Sequence, residues 1–188
     1  MTKTALIVID VQRGFDSPAW GRRDNPACEA NVRALLDGWR DAGQPVVLVR
    51  HDSTTPGSPL APGQPGNAFK PELDGVRPDL LVPKSAHSAF HGHVDLHAWL
   101  TDNGIRDIVV CGIQTNRCVE TTSRVGGDLG YRVRVALDAT HTFDERGPDG
   151  ALVTAEEFAR ATAANLHGHF AEVTTTAAVL AALAPDGS

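Results

Sequence analysis

The fold is decided by residues 109–122, which have the sequence VVCGIQTNRCVETT. An apolar, β-branched run leads into Gly112, and a polar segment follows in which Thr115 or Asn116 can cap a helix. The stretch predicts a buried strand, a turn at Gly112 and a helix over residues 117–129. Ligands of open α/β sheets bind beyond the carboxyl ends of such strands.

The same alternation of strand and helix recurs along the chain. β-Branched runs predict strands buried on both faces at residues 5–9, 46–49, 108–110, 133–136 and, more weakly, 171–174. Segments of helical period lie between or after them, at residues 28–42, 94–103, 117–129, 155–167 and 177–183. Alternating elements imply right-handed crossovers and a mainly parallel, Rossmann-like sheet. We therefore expect one α/β domain, residues 1–188, built as a three-layer α/β/α sandwich.

Two stretches contain too many helix breakers to continue the alternation. Residues 52–78 hold six prolines and several glycines, and residues 141–150 are similarly turn-rich. Both are predicted to be loops. The first is long for a compact domain, which leaves open a substrate-covering role, a subunit contact or a plain surface loop. Residues 185–188 are expected to fray.

Composition and charge exclude several classes of function. Lys and Arg total 17 against 23 Asp and Glu, a net charge of −6, and no basic cluster indicates a nucleic-acid partner. No apolar run reaches the roughly 18 residues of a membrane span, so no membrane partner is expected. Three cysteines without a CxxC pair, and an N-terminus without signal-peptide features, predict a cytoplasmic location.

Polar residues that follow the apolar runs are the first candidates for chemistry. Asp10 ends the run at residues 7–9, although an Asp after a strand is also a common turn former. Lys84 follows the apolar residues 80–83 and is one of only three lysines in the chain. A solvated surface lysine is the alternative for Lys84.

Cys118 is the sharpest candidate because it falls in the first turn of the helix predicted after Gly112. Unpaired backbone N–H groups and the helix dipole favour a thiolate there and lower the thiol pKa. Cys28 and Cys111 lie within predicted elements and are expected to be buried and inert.

Four histidines, His87, His91, His93 and His97, form a second cluster. The pairs 87/91 and 93/97 have the i, i+4 spacing of a helix face. No HExxH motif or nearby cysteine completes a zinc site, so a surface or pocket-lining role is favoured over a metal site.

Taken in order, these motifs resemble the isochorismatase-like cysteine hydrolases, which include nicotinamidases, N-carbamoylsarcosine amidohydrolases and streptothricin hydrolases. The resemblance covers nearly the whole chain. It rests on Val8-Ile9-Asp10-Val11-Gln12 with Phe15, on Pro83-Lys84 with Ser88-Ala89-Phe90, on residues 112–119 with Thr121-Thr122, and on residues 128–131 leading to Asp138-Ala139.

The resemblance implies an isochorismatase-like fold and a catalytic triad. Cys118 would be the nucleophile, Asp10 the base that takes its proton, and Lys84 the partner of both. The three side chains are therefore expected within about 6 Å of one another, the range of strong charge coupling.

The resemblance also implies a cis peptide bond between Ile113 and Gln114. It would direct the backbone N–H groups of Gln114 and Cys118 toward a developing oxyanion. Phe15, Phe90 and Gln114 lie close in sequence to these residues and are expected to contact the substrate.

Cys118 and the missing nicotinamidase-type metal ligands narrow the range of reactions that the resemblance implies. Isochorismatases proper cleave a vinyl ether without this cysteine, so Cys118 favours hydrolysis of a C–N bond through a thioester. Nicotinamidases bind a metal through Asp-x-His and a further His, whereas this chain has only His51-Asp52 in that region. Adjacent residues of an extended segment point to opposite faces, so neither a metal nor another cofactor is expected.

The expected partner is a small-molecule amide. A streptothricin-type lactam or other small amide is favoured because an acidic protein attracts a cationic substrate. Nicotinamide and N-carbamoyl compounds are the alternative substrates. The alternative function is a non-catalytic relative that oligomerises or binds a small ligand. By resemblance, the assembly is a homodimer or a larger homo-oligomer.

Overall fold

The computed structural model describes residues 3–183 and contains a parallel sheet of six strands. Its strand order is β3-β2-β1-β4-β5-β8. The strands of the chain are β1 (Thr4–Ile9), β2 (Val46–His51), β3 (Leu80–Lys84), β4 (Asp107–Ile113), β5 (Arg132–His141), β6 (Glu145–Arg146), β7 (Leu152–Val153) and β8 (Glu172–Thr174). The frayed end predicted for residues 185–188 lies outside the described residues.

Helices cover both faces of the sheet. They are α1 (Cys28–Asp41), α2 (Leu96–Asp102), α3 (Glu120–Asp128), α4 (Ala155–Leu166) and α5 (Thr176–Leu183). Within residues 3–183, none of the helices combines the length and the apolar character that a bilayer crossing needs.

Alternate residues of β1 belong to two separate cores. Leu6 and Val8 pack with apolar residues of α1 and α5. Ile7 and Ile9 pack with residues of α2 and α4 on the opposite face. Because both faces of the strand are buried, its sequence is continuously apolar rather than alternating. The predicted α/β/α layering is confirmed.

The structure differs from the sequence prediction at two places. β3 was not among the predicted strands because Pro83 interrupts its apolar run; it lies at the sheet edge, where a residue without an N–H group is tolerated. Residues 141–150 are not wholly a loop, since β5 continues to His141 and β6 pairs with β7. Strands of two residues are too short to show a period.

The carboxyl ends of β1 and β4 come unusually close together. Gly112 has a φ of +116°, and a β-carbon there would lie 2.0 Å from the carbonyl oxygen of Ile9. Only glycine fits this position. Asp10, which follows β1, has a φ of 51°, a left-handed conformation that Asp tolerates better than most residues. This close approach brings Asp10, which follows β1, next to the segment that follows β4.

Candidate active site

Three side chains from separate segments meet at the carboxyl edge of the sheet. Lys84 Nζ donates hydrogen bonds to Asp10 Oδ2 at 2.6 Å and to Cys118 Sγ at 3.4 Å. Cys118 Sγ and a carboxylate oxygen of Asp10 lie within 4.8 Å of each other. Asp10 and Lys84 have no exposed surface, and Cys118 is 6% exposed. The structure thus brings together the three residues predicted as a triad.

His51 completes the surroundings of Lys84. Its Nδ1 lies 3.2 Å from Lys84 Nζ, and His51 is the register partner of Lys84 between β2 and β3. An ammonium group only donates, so Nδ1 accepts and the imidazole is neutral. Burial lowers the pKa of His51, and the Lys84 charge lowers it further. The three N–H bonds of Lys84 therefore serve three acceptors, Asp10, His51 and Cys118.

The same three acceptors also have the spacing of a metal site. One ligand atom from each of Asp10, His51 and Cys118 lies within 4.8 Å of the other two. The ammonium of Lys84 is already within 3.4 Å of all three residues. A metal ion would be repelled by that positive charge, so the three residues fit the ammonium of Lys84 better than a metal ion at this position.

The ammonium form of Lys84 is stabilised by its neighbours. Burial alone lowers the pKa of Lys84, but its interactions with Asp10, and secondarily with Cys118, outweigh burial and raise the pKa above its ordinary value. Lys84 is thus a permanent positive charge beside the sulfur near neutral pH.

The predicted lowering of the Cys118 pKa is wrong. Burial raises the pKa of this thiol to about 12; Asp10 adds to the increase and Lys84 opposes it. The sulfur must therefore transfer its proton to a neighbour before it can act as a nucleophile. Within residues 3–183, Asp10 Oδ1 is buried without a hydrogen-bond partner, and a carboxylate oxygen of Asp10 lies within 4.8 Å of the sulfur, so this carboxylate is the candidate acceptor.

The segment that carries Cys118 also differs from the predicted helix start. Residues Thr115–Val119 form a π-helical turn, and α3 begins only at Glu120. Neither predicted capping side chain caps the helix. Thr115 donates to the Thr140 hydroxyl, and Asn116 accepts from the Thr142 hydroxyl. These two bonds tie the turn to β5 and to the residue that follows it.

The peptide bond between Ile113 and Gln114 is cis, as the resemblance implied. The other two cysteines are fully buried, and burial raises the pKa of both Cys28 and Cys111. Their predicted burial is confirmed.

A cleft of about 430 Å³ opens above Cys118. Phe15, Trp20 and Leu60 give it an apolar wall, with the Phe15 and Trp20 rings 5.2 Å apart. Residues 53 and 55–60 of the proline-rich loop line the same cleft. Of the roles left open for that loop, this placement favours covering a substrate.

The predicted substrate contacts divide into two groups. Phe15 and Gln114 line the cleft, and the Gln114 Nε2 atom is buried with no hydrogen-bond partner among the residues that the structure describes. Phe90 does not line the cleft. Its ring stacks on Tyr131 with centroids 5.6 Å apart, and its edge faces Gly126 of α3. The short 3₁₀ turn Ala89–His91 places the ring there, so the substrate contact predicted for Phe90 is not supported.

The histidine cluster is not one site. His97 pairs with the Tyr131 hydroxyl at 2.8 Å, whereas His87 lines the cleft with Nδ1 3.6 Å from Cys118 Sγ. The i, i+4 spacing of these histidines does not belong to one helix, because a 3₁₀ turn ends at His91 and α2 begins only at Leu96. The sequence is compatible with a pocket-lining role for His87 but indicates neither His87 nor His51 as a neighbour of the triad.

A buried carboxylate, ammonium and thiol at the strand ends of an α/β sheet define a cysteine hydrolase. The family model of the isochorismatase domain matches residues 4–178, so the chain belongs to the isochorismatase family. A crystal structure of an isochorismatase-family protein from Chromobacterium violaceum superposes with a TM-score of 0.91 and 40% sequence identity, covering 96% of this chain and 93% of the other.

Sequence comparison also identifies relatives, and three of them carry different names. The isochorismatase-family protein YrdC of Bacillus subtilis is 34% identical and covers 93% of this chain and 92% of its own length. Nicotinamidase 3 of Arabidopsis thaliana is 33% identical over 79% of this chain and 78% of its own. Streptothricin hydrolase of Streptomyces noursei is 33% identical over 74% of this chain but only 50% of its own.

Proposed function

We propose that the protein is an amidohydrolase that cleaves the C–N bond of a small amide through a thioester on Cys118. The observation that carries the proposal is the hydrogen-bonded set of Asp10, Lys84 and Cys118 beneath an open cleft. The nicotinamidase and streptothricin hydrolase relatives support the choice of an amide substrate.

Acylation begins with transfer of the thiol proton. In the proposed mechanism the Cys118 proton moves to Asp10 as sulfur attacks the amide carbonyl. Lys84 stays protonated and compensates the charge that passes from the carboxylate to the sulfur. The raised thiol pKa means that little thiolate is present at rest, so proton transfer and attack are coupled.

The tetrahedral intermediate requires donors for its oxyanion. We assign this role to the backbone N–H groups of Gln114, which precedes the π-helical turn after β4, and of Cys118, which lies within that turn. The Gln114 side-chain amide, which lacks a partner, is proposed to donate to a substrate acceptor.

The proposed substrate is a streptothricin-type lactam or another small amide that fits a cleft of about 430 Å³. The net charge of −6 favours a cationic molecule. Nicotinamide and N-carbamoyl compounds are the alternative substrates. The cytoplasmic location and the homo-oligomeric assembly stay predictions.

A panel of amides tests the proposal. Nicotinamide, a δ-lactam and an N-carbamoyl amino acid are each incubated with the enzyme, and formation of ammonia or of a free amine is measured. The wild-type protein should release product from at least one compound, and Cys118→Ala from none. Cys111→Ala is the matched control, because that cysteine lies in β4 away from the cleft.

The competing function is a non-catalytic binding module. Iodoacetamide separates the two: an active nucleophile is alkylated at Cys118 in the folded protein while Cys28 and Cys111 are not. A Cys118 as inert as the other two would favour the binding module.

A further inference from the structure

The polar side chains that line the cleft offer hydrogen-bond donors and no negative charge. Among the residues that the structure describes, the lining contains no Asp or Glu, and Arg117 supplies a guanidinium. The hydroxyls of Ser53 and Ser58 already accept from the backbone N–H groups of Thr55 and Leu60, which leaves their O–H bonds to donate. The lining therefore favours a molecule that brings acceptors and negative charge.

Arg117 stands next to the nucleophile, on the π-helical turn that precedes α3. Its backbone N–H donates to the carbonyl of Gln114 at 3.2 Å, so the two cleft-lining residues belong to one hydrogen-bonded turn. The guanidinium uses Nη2 to donate to Glu145 Oε2 at 2.6 Å. Its Nε and Nη1 atoms donate to no other residue in the described part of the chain.

The ion pair with Glu145 leaves Arg117 able to bind a ligand. The two side chains are 45% and 31% exposed, and ion pairs this open to water contribute little stability. Glu145 belongs to the short strand β6 and does not line the cleft. A guanidinium has five N–H donors in a planar fork, so it can serve Glu145 and a second carboxylate together.

Gln114 supplies a second unused donor on the same turn. The residue is 3% exposed, and its Nε2 atom has no acceptor within residues 3–183. A buried donor without a partner is costly, and a ligand acceptor that pairs with it recovers that cost. Gln114 and Arg117 thus offer a neutral and a charged donor close to Cys118.

We propose that Arg117, together with Gln114, binds a carboxylate of the substrate, which makes Arg117 a specificity-determining residue. This inference rests on the proposed function and narrows its substrates to small amides that carry a carboxylate, such as an N-carbamoyl amino acid. The net charge of −6 attracts cations, but it governs encounter, and salt screens it beyond about 8 Å. The groups that line the cleft act at contact distance and select the molecule that stays bound.

Two alkylating reagents test the site without a known substrate. Iodoacetate carries a carboxylate where iodoacetamide carries an uncharged amide, and each transfers its two-carbon group to the sulfur with loss of iodide. The rate of Cys118 alkylation by each is measured by mass spectrometry at one pH. Their ratio cancels any change in thiol reactivity. Arg117→Gln should lower the iodoacetate-to-iodoacetamide ratio about tenfold and change the iodoacetamide rate less than about threefold.

Arg124→Gln is the matched control, because it removes the same charge outside the cleft lining. Arg124 lies on α3 and pairs with Glu120 at 2.8 Å. Its substitution should leave the alkylation ratio within about twofold of wild type. An equal fall in both variants would attribute the effect to net charge, and an unchanged ratio in Arg117→Gln would likewise overturn the proposal.

Three primary amides of nearly equal length test the selection of substrate. Succinamate ends in a carboxylate, levulinamide in an uncharged methyl ketone and 4-aminobutanamide in an ammonium, and ammonia release is measured for each. Succinamate should have the highest kcat/KM, and Arg117→Gln should reduce its advantage at least about tenfold, mainly through KM. Preference for the ammonium compound would overturn the proposal. If none of the three is hydrolysed, the alkylation ratio decides alone.

Failure of the proposed function has a separate signature. Cys118 would then be alkylated by either reagent no faster than Cys28 and Cys111, and the carboxylate site would fall with the function. Fast alkylation of Cys118 by both reagents, with a ratio that Arg117→Gln leaves unchanged, would overturn only the present inference.

Discussion

Two of the three lysines are buried in ion pairs, and they differ in what surrounds them. Lys84 is fully buried and donates to Asp10, His51 and Cys118. Lys70 is 3% exposed and donates to Asp16 and to Glu29, the latter at 2.6 Å.

Each carboxylate of the Lys70 cluster is paired with a cation, and none of the paired side chains is a nucleophile. Glu29 accepts two further hydrogen bonds from Arg23, at 2.7 and 2.9 Å, so both of its oxygens have cationic partners. His141 lies beside it, and burial lowers the pKa of His141 to about 3, which keeps the ring neutral. The cluster joins α1, through Glu29, to Lys70 of the proline-rich loop and to Arg23, which precedes the helix.

The Lys84 cluster differs in the chemistry that it adjoins. A thiol contacts the ion pair, and a cleft opens beside the sulfur. Unpartnered polar atoms do not separate the two clusters, because within residues 3–183 both Asp10 Oδ1 and the two ring nitrogens of His141 lack hydrogen-bond partners. The thiol beside an open cleft distinguishes the site that can carry out chemistry from the one that fixes the fold.

The largest expected difference between the two lysines is in catalysis. Lys84→Met removes the charge that compensates proton transfer from Cys118, so amide turnover should fall by about 10³-fold or more. Lys70→Met should leave turnover within about threefold, since distant sites act independently. Steady-state product release from the best amide measures both. Similar losses of amide turnover in the two variants would show that the two lysines do not differ in their effect on catalysis.

The second difference is in stability. Lys84→Met leaves Asp10 buried without a cation, and the free energy of unfolding should fall by about 3–5 kcal/mol at pH 7. Lys70→Met should cost less, about 1–2 kcal/mol, because Glu29 keeps Arg23. The double variant Asp10→Asn/Lys84→Met should regain much of the loss. Urea unfolding tests the order, and a larger loss for Lys70→Met would contradict it.

The smallest expected effect is the pH dependence of the Lys70 cluster. Burial raises the pKa of Glu29, but hydrogen bonds from Arg23 and Lys70 outweigh it and hold the pKa at about 2. The ionised folded form thus contributes stability above the ordinary pKa of 4.5, which is lost as the pH falls toward 2. The loss is at most roughly 3 kcal/mol. Thermal unfolding of Glu29→Gln should show a flatter acid limb than wild type; identical limbs would contradict the assignment.

Much of the fold and part of the site could be predicted from local sequence. The apolar runs and the glycines after helices mark the alternation; polar residues after apolar runs identify Asp10 and Lys84, and the predicted helix start after Gly112 identifies Cys118. His51 could not be found in this way. Its approach to Lys84 depends on the register of β2 with β3, and the proline in β3 hides that strand.

Other features depend on contacts between segments distant in sequence. The turn that carries Cys118 is bonded to Thr140 and Thr142, so its π-helical form is not a property of residues 115–119 alone. Closeness in sequence to Lys84 was a poor guide for Phe90, whose ring packs on Tyr131. The high pKa of Cys118 reflects burial, which a helix-dipole argument does not include.

A thioester on Cys118 is tested most directly by the mass of the enzyme quenched during turnover of an amide. We expect an added mass equal to the acyl group, mapped to the peptide that contains Cys118. It should be absent from Cys118→Ala, form slowly in Lys84→Met and form at the wild-type rate in Lys70→Met. Turnover that proceeds without an adduct on Cys118, or that persists in Cys118→Ala, would contradict it.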